Sequence, residues 1–180
     1  MLTDELKYRI LGALEVEPTA EQATSVDVFC SFLLDRDEQS VMLVRGCAGT
    51  GKTTAISAVI AVMAEYKVKS VLLAPTGRAA KVLSGYSGRS AFTIHKHIYR
   101  QKSVGGDGFG QFTLAPNKDK DTLFVVDEVS LIGIDTGQQQ STTAFGSGNL
   151  LEDLITFVRA GAGCKVILIG DAAQLPPIGL

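Results

Sequence analysis

The sequence is poor in the residues that build disulfide frameworks and protein-only metal sites. It has three cysteines, Cys30, Cys47 and Cys164, which are far apart and odd in number, so they do not form a disulfide framework. Its two histidines, His95 and His97, are too few for a zinc site. We therefore predict reduced, mostly buried thiols in a cytoplasmic protein.

The sequence also lacks a long apolar run and an excess of positive charge. No apolar run reaches the ~18 residues that span a bilayer, and we expect no membrane partner. The amphipathic N-terminus, MLTDELKYRILGAL, carries acids and is not typical of a secretory signal. The formal net charge is −2, so any binding of nucleic acid has to be local. With 46% hydrophobic residues in 180, one globular domain is expected.

The hydrophobic pattern predicts helices that alternate with short, continuous apolar strands. Such alternation is typical of a mostly parallel sheet with helices on both faces, whose strands are buried on both sides. The carboxyl ends of parallel strands meet at one edge, where ligands bind. The predicted helices are 3–14, 20–34, 52–66, 78–84, 93–99 and 149–160, and the predicted strands are 41–45, 68–74, 112–114, 123–127 and 165–170.

The segment GCAGTGKT, residues 46–53, matches the phosphate-binding loop GxxxxGK[ST] in full. It follows a predicted strand and opens a predicted helix, so backbone N–H groups and the positive helix end can hold a phosphate. Lys52 would supply a point charge to the β- and γ-phosphates, and the Thr53 hydroxyl can bind Mg²⁺. The pattern therefore predicts a site for ATP and Mg²⁺. The predicted nucleotide contacts from this segment are Gly46, Ala48, Gly49, Thr50, Gly51, Lys52, Thr53 and Thr54.

Two acids end the hydrophobic strand LFVV, at Asp127 and Glu128. An acid at the end of a buried strand is costly unless it meets a cation, and Mg²⁺ bound through Asp127 would supply one. Glu128 could then orient and deprotonate an attacking water. Because one acid would bind the metal ion and the other would act on water, the pair favours nucleotide hydrolysis over nucleotide binding alone.

Further motifs narrow the class of protein. APTGRAAK (74–81) and GDAAQLPPI (170–178) follow predicted strands, and AFTIHK (91–96) lies a little after APTGRAAK. Together with GCAGTGKTT and VVDEVSLI, they resemble motifs I, Ia, Ib, II and III of the RecD-like (exonuclease V alpha subunit) superfamily 1 DNA helicases. The resemblance covers residues 20–180 and implies the first RecA-like ATP-binding domain, a P-loop NTPase fold, in residues 19–180, with an N-terminal helical segment in 1–18.

The resemblance assigns roles to further residues. Gln22 matches the adenine-reading glutamine of the family, and Gln174 matches the glutamine that senses the γ-phosphate, in a catalytic role with Lys52 and Glu128. Asp171 would shape the loop before Gln174. The residues that fall in motifs contacting single-stranded DNA are Thr76, Arg78, Lys81, Thr93, His95 and Lys96.

The chain departs from the family because motifs IV, V and VI do not follow motif III. We therefore expect a second RecA-like domain, with its arginine finger, elsewhere in a longer protein, and weak hydrolysis by these residues alone. The resemblance also implies a nuclease partner of the exonuclease V kind and a 5′ to 3′ polarity.

Two other functions stay open at this stage. A small-molecule kinase would share the phosphate loop but needs a basic lid, and residues 135–148 contain no Lys or Arg. A non-catalytic, nucleotide-gated binding module would not use Glu128. The glycine-rich residues 103–121 and the polar stretch 135–148 are predicted loops, and we expect Phe109 and Phe112 to pack rather than stack on bases.

Overall fold

The computed structural model describes residues 2–14, 17–37, 39–46, 51–102, 112–132 and 145–171. A five-stranded, fully parallel sheet forms its centre, in the order β1-β7-β6-β2-β3, and β4 pairs with β5 in a separate antiparallel ladder. The helices are α1 (Leu2–Gly12), α2 (Ala20–Leu34), α3 (Lys52–Glu65), α4 (Gly77–Ser87), α5 (Ile94–Ile98) and α6 (Leu150–Arg159), with a 3₁₀ turn at Val129–Leu131. The strands are β1 (Val41–Gly46), β2 (Lys69–Ala74), β3 (Ala91–Thr93), β4 (Tyr99–Gln101), β5 (Phe112–Leu114), β6 (Thr122–Val126) and β7 (Lys165–Asp171).

Helices cover both faces of the sheet, as the continuous apolar strands predicted. Alternate residues of a strand point to opposite faces, and β6 shows this within five buried residues. Leu123 and Val125 join one core with α1, α2, α3 and α4, whereas Phe124 and Val126 join a second core with α5 and α6. Phe124 is fully buried, and burial of such a side chain contributes roughly 1.5–3 kcal/mol.

Local sequence signals set the ends of several helices. Thr19 and Gln22 form a capping box at the start of α2, in which each side chain accepts from the backbone N–H of the other residue,. Helix α3 ends where Lys67 adopts a left-handed φ of 60°, and Val68 N–H then donates to Met63 O at 2.9 Å. These contacts satisfy backbone groups that a helix end leaves open.

The predicted elements agree with the structure apart from two strands. Residues 91–93 pair with β2, and residues 99–101 pair with residues 112–114. Of these three segments, the sequence predicted only 112–114 as a strand. Phe112 packs as predicted, because its ring stacks on Phe145 with centroids 4.6 Å apart. Phe109 and most of 135–148 lie outside the described residues.

The predicted burial of the thiols is confirmed for the two cysteines that the structure describes. Cys30 and Cys164 are buried and free, and burial raises the pKa of both thiols. Cys47 lies outside the described residues. In the part of the chain that the structure describes, none of the helices has the length and apolar character needed to cross a membrane.

Candidate nucleotide-binding site

The phosphate loop joins the end of β1 to the start of α3, at the carboxyl edge of the sheet. Its predicted residues Gly46, Gly51, Lys52, Thr53 and Thr54 flank that junction, whereas residues 47–50, and with them Ala48, Gly49 and Thr50, lie outside the described residues. The Lys52 ammonium donates a hydrogen bond to the Gly46 carbonyl. This contact keeps the positive charge beside the first residue of the loop.

Gly51 is the N-cap of α3 and has a φ of +79°, a backbone conformation that favours glycine. A Cβ at this position would lie 2.4 Å from Nε2 of Gln22. The helix that carries Gln22 therefore packs directly against the phosphate loop, and the glycine permits that approach.

Gln22 lies beside the loop, where an adenine-reading residue is expected. Its Oε1 accepts a hydrogen bond from Thr19 N–H at 3.0 Å, so part of the amide already serves the capping box. A cavity of about 210 Å³ separates the start of α2 from β1 and α3. It is lined by Thr19, Glu21, Gln22, Ser25, Phe29, Val44, Arg45, Gly46, Gly51, Lys52 and Ala55.

Asp127 and Glu128 follow β6 at the same edge of the sheet. Asp127 N–H donates to Leu73 O on β2 at 3.0 Å, and Asp127 Oδ1 accepts from Glu128 N–H at 2.8 Å. Glu128 is exposed and adopts a left-handed φ of 54°. A non-glycine residue in this conformation is strained by roughly 1–2 kcal/mol, and such strain is concentrated at functional sites.

Tyr86, in the last turn of α4, reaches this pair of acids. Its hydroxyl donates to Asp127 Oδ2. Burial, the hydrogen bond to Asp127 and the charges of Asp127 and Glu128 raise the pKa of Tyr86 far above its usual value, while a hydrogen bond with the Thr53 hydroxyl acts in the opposite direction. The phenol is therefore protonated near neutral pH, and its hydroxyl contacts the Asp127 carboxylate.

Thr53 and Asp127 fit a magnesium ion. A hydroxyl in the first turn of α3 and a carboxylate directly after β6 supply two hard oxygen donors at the carboxyl edge of the sheet. Mg²⁺ is commonly bound through one or two protein oxygens together with phosphates and waters. No group of three or more His, Cys, Asp or Glu among the described residues could hold a metal by itself, and a site of this kind does not need one.

The motif III residues are only partly described. Asp171 ends β7 and is the register partner of Gly46 on β1, so the last residue of β7 lies beside the first residue of the phosphate loop. Gln174 lies outside the described residues, and its role stays a prediction.

The residues predicted to contact DNA lie on two neighbouring segments. Thr76 and Thr93 are the N-caps of α4 and α5, where their hydroxyls accept from Ala79 N–H and Lys96 N–H, each at 3.2 Å. The exposed residues among the predicted contacts are Thr76, Arg78, Lys81 and Lys96.

His95 differs from these exposed residues. It packs against Tyr99 and Phe145, with ring centroids 5.7 and 5.1 Å away, and burial lowers its pKa. His95 is therefore neutral near pH 7, and any contact it makes to DNA would be a hydrogen bond rather than an ion pair.

A larger cavity, of about 450 Å³, lies at the opposite edge of the sheet. Its lining includes Thr122 and Lys165, the first residues of β6 and β7. None of the residues predicted to bind nucleotide lines it. Volume alone therefore does not mark the site in this molecule.

Sequence reasoning missed Tyr86. The motif ending at Lys81 gives no signal for a tyrosine five residues later, and α4 meets the end of β6 only in the folded molecule. A prediction of the strand order with β6 beside β2 would have been needed to find it.

Comparisons with known proteins show the family of this chain. Residues 19–180 match the family model described as an AAA domain. The chain belongs to this AAA domain family. It is 32% identical over 158 residues to the ATP-dependent RecD2 DNA helicase of Deinococcus radiodurans, covering 88% of this chain and 18% of that protein. It is 27% identical over 156 residues to the ATP-dependent DNA helicase dda of Enterobacteria phage T4, covering 79% of this chain and 29% of that protein.

The fold is shared with a solved helicase structure. The Pif1 helicase from Candida albicans matches with a TM-score of 0.52 and 18% identity, over 91% of this chain and 34% of that one. This match confirms the RecA-like fold, and the 32% identity to the RecD2 helicase confirms the resemblance to RecD-like superfamily 1 helicases. The chain spans less than a third of the length of the RecD2 helicase and of the dda helicase.

Proposed function

We propose that this AAA domain binds and hydrolyses ATP in an ATP-dependent DNA helicase or translocase. The observation that carries the proposal is the convergence of the phosphate loop, between β1 and α3, and the acids Asp127 and Glu128, after β6, at one edge of the parallel sheet. The similarity to the RecD2 and dda helicases supports this function over that of a small-molecule kinase or a non-catalytic binding module.

Each residue of the site has a separate proposed role in ATP hydrolysis. Backbone N–H groups of the phosphate loop and Lys52 would hold the nucleotide phosphates, and Gln22 lies beside the loop to contact the base. Thr53 and Asp127 would hold Mg²⁺, which when bound neutralises charge on the phosphates. Glu128 would orient and deprotonate the attacking water, and Gln174 would sense the γ-phosphate.

Single-stranded DNA is the proposed second ligand. Arg78, Lys81 and Lys96 present positive charge, and the N-cap residues Thr76 and Thr93 lie beside them in sequence. Such groups hold a phosphate backbone without reading bases. His95 would add a neutral hydrogen-bonding group.

A second domain, partner subunits and the direction of translocation are proposed for the whole protein. Translocation needs two domains that grip DNA and close on ATP, so a second RecA-like domain with an arginine finger is proposed as the partner of this one. Nuclease partner subunits and the 5′ to 3′ polarity stay predictions.

Substitution of Glu128 tests the proposed function. Glu128→Gln keeps the size of the side chain but removes the base, so ATP binding should persist. DNA-stimulated ATP turnover should fall about 10²- to 10⁴-fold, the range that general-base catalysis contributes. The measurement is ATP turnover of the full-length protein with and without single-stranded DNA.

Glu152→Gln, at an exposed position in the first turn of α6, is the matched control and should behave as wild type. Undiminished turnover in Glu128→Gln would contradict the proposed role and favour the binding module. Phosphate transfer to a small acceptor would favour the kinase.

A further inference from the structure

Both oxygens of the Asp127 carboxylate are held by donors of the protein. Oδ1 accepts from Glu128 N–H at 2.8 Å, and Oδ2 accepts from the Tyr86 hydroxyl. A carboxylate held at both oxygens cannot rotate without breaking a hydrogen bond. The backbone donor comes from the neighbouring residue, whereas the Tyr86 donor comes from a different element, α4.

The other proposed metal ligand, Thr53, lies in the first turn of α3 at the same edge of the sheet. Through its hydrogen bond to Asp127, Tyr86 ties the end of α4 to the residue that follows β6. The tyrosine therefore lies at the edge where the nucleotide phosphates are proposed to bind. The proposed hydrolysis assigns it no role.

The packing of α4 against the core sets the position of Tyr86. Leu83, one turn earlier, is buried at 1% exposure in the core beneath α4, while Tyr86 itself is 37% exposed. The helix ends two residues later at Gly88, which has a left-handed φ of 64°. Because α4 is anchored in the core, it holds Tyr86 close to Asp127.

We propose that Tyr86 is a positioning residue that holds the Asp127 carboxylate in the orientation for Mg²⁺ and ties α4 to the metal site. This inference rests on the proposed ATP–Mg²⁺ site. Groups that hydrogen-bond to metal ligands fix their orientation, and their removal typically lowers metal affinity 10- to 100-fold. Tyr86 does not touch substrate in this account and acts through Asp127.

The test is the Mg²⁺ dependence of nucleotide binding, measured by titration calorimetry with a non-hydrolysable ATP analogue. Tyr86→Phe keeps the ring and removes the hydroxyl. We expect the Mg²⁺ concentration for half-maximal tightening of binding to rise about 10-fold or more, while the affinity for the analogue in EDTA stays unchanged. Tyr8→Phe, at a site 78% exposed on α1, should leave both quantities unchanged.

A double-mutant cycle separates positioning from a general structural role. If Tyr86 acts through the Asp127 carboxylate, adding Tyr86→Phe to Asp127→Asn should raise the Mg²⁺ requirement no further than Asp127→Asn alone, because coupled residues are not additive. Additive effects of the two substitutions would overturn the proposal.

Four further outcomes are decisive. An unchanged Mg²⁺ requirement in Tyr86→Phe overturns the proposal, and so does a lowered one, which would mean that the hydroxyl obstructs the metal. A loss of affinity in EDTA with an unchanged Mg²⁺ requirement would make the residue merely structural, which also contradicts the proposal. Failure of the wild-type chain to bind the analogue with Mg²⁺ would instead overturn the proposed function.

Discussion

Gly51 meets two constraints that a side chain would violate. Its φ of +79° lies in the left-handed region, and the position of its missing Cβ is 2.4 Å from Gln22 Nε2. The phosphate-loop pattern predicts a glycine here from the first constraint alone. The second constraint depends on where α2 packs, which the local pattern does not contain.

Substitution of Gly51 by alanine separates these two constraints. Gly51→Ala should lower the free energy of unfolding by about 1–2 kcal/mol through the left-handed backbone, and it should also weaken nucleotide binding because Gln22 is displaced from the loop. The measurements are denaturant unfolding and calorimetric binding of ATP with Mg²⁺.

Gly88→Ala is the matched control for that substitution. Gly88 has a φ of +64° but no atom within 4 Å of its Cβ position. It should lose similar stability and keep its nucleotide affinity. Equal nucleotide affinity in both variants would show that the contact with Gln22 does not matter.

At the scale of elements, the longer helices and strands follow from the sequence, whereas two of the three-residue strands, β3 and β4, do not. Strands β2, β6 and β7 are long apolar runs, which are visible without tertiary information. β3 and β4 have three residues each and flank a five-residue helix, so the pattern over 91–101 is too short to separate strand from helix. Their pairing with β2 and β5 decides their conformation.

The two histidines of helix α5 should make the free energy of unfolding depend on pH. His97 packs against the rings of Phe124 and Phe157, with centroids 6.0 and 5.7 Å away. Burial lowers the pKa of both His95 and His97, while Asp119 raises and Lys69 lowers the pKa of His97 to a smaller extent. The unfolded chain therefore binds protons before the folded chain does as the pH falls.

The stability that these two histidines contribute should be fully present above their unfolded pKa, near 6.5, and should be lost as the pH falls below it. Denaturant unfolding at pH 7.5 and 5.5 measures this loss. The sequence has only these two histidines, so the double variant His95→Phe/His97→Phe should show a flatter profile. Wild-type stability that is equal or greater at pH 5.5 would contradict the assignment.

At the scale of the whole molecule, parallel strands bring distant motifs to one edge. The register pairs Gly46 with Asp171, and β6 lies between β7 and β2. The sequence predicts this convergence, because carboxyl ends of parallel strands align. It predicts neither the strand order nor the contact of α4 with Asp127, since both depend on which helix covers which strand.

The charge of the molecule fits local recognition rather than a basic coat. The net charge of −2 includes the acids at 127 and 128, which lie at the same edge of the sheet as Lys52. The exposed cations Arg78, Lys81 and Lys96 lie on α4 and α5, where they would attract an anionic strand locally.

The most direct test of the account is ATP–Mg²⁺ binding by the wild-type chain and by Lys52→Ala, with Lys118→Ala, at an exposed position, as the matched control. Loss of a hydrogen bond from a charged group is worth about 1.5–3 kcal/mol, which corresponds to at least a 10-fold loss of affinity. The account predicts that loss in Lys52→Ala and wild-type affinity in Lys118→Ala. Equal affinity in all three proteins, or no binding by the wild-type chain, would contradict it.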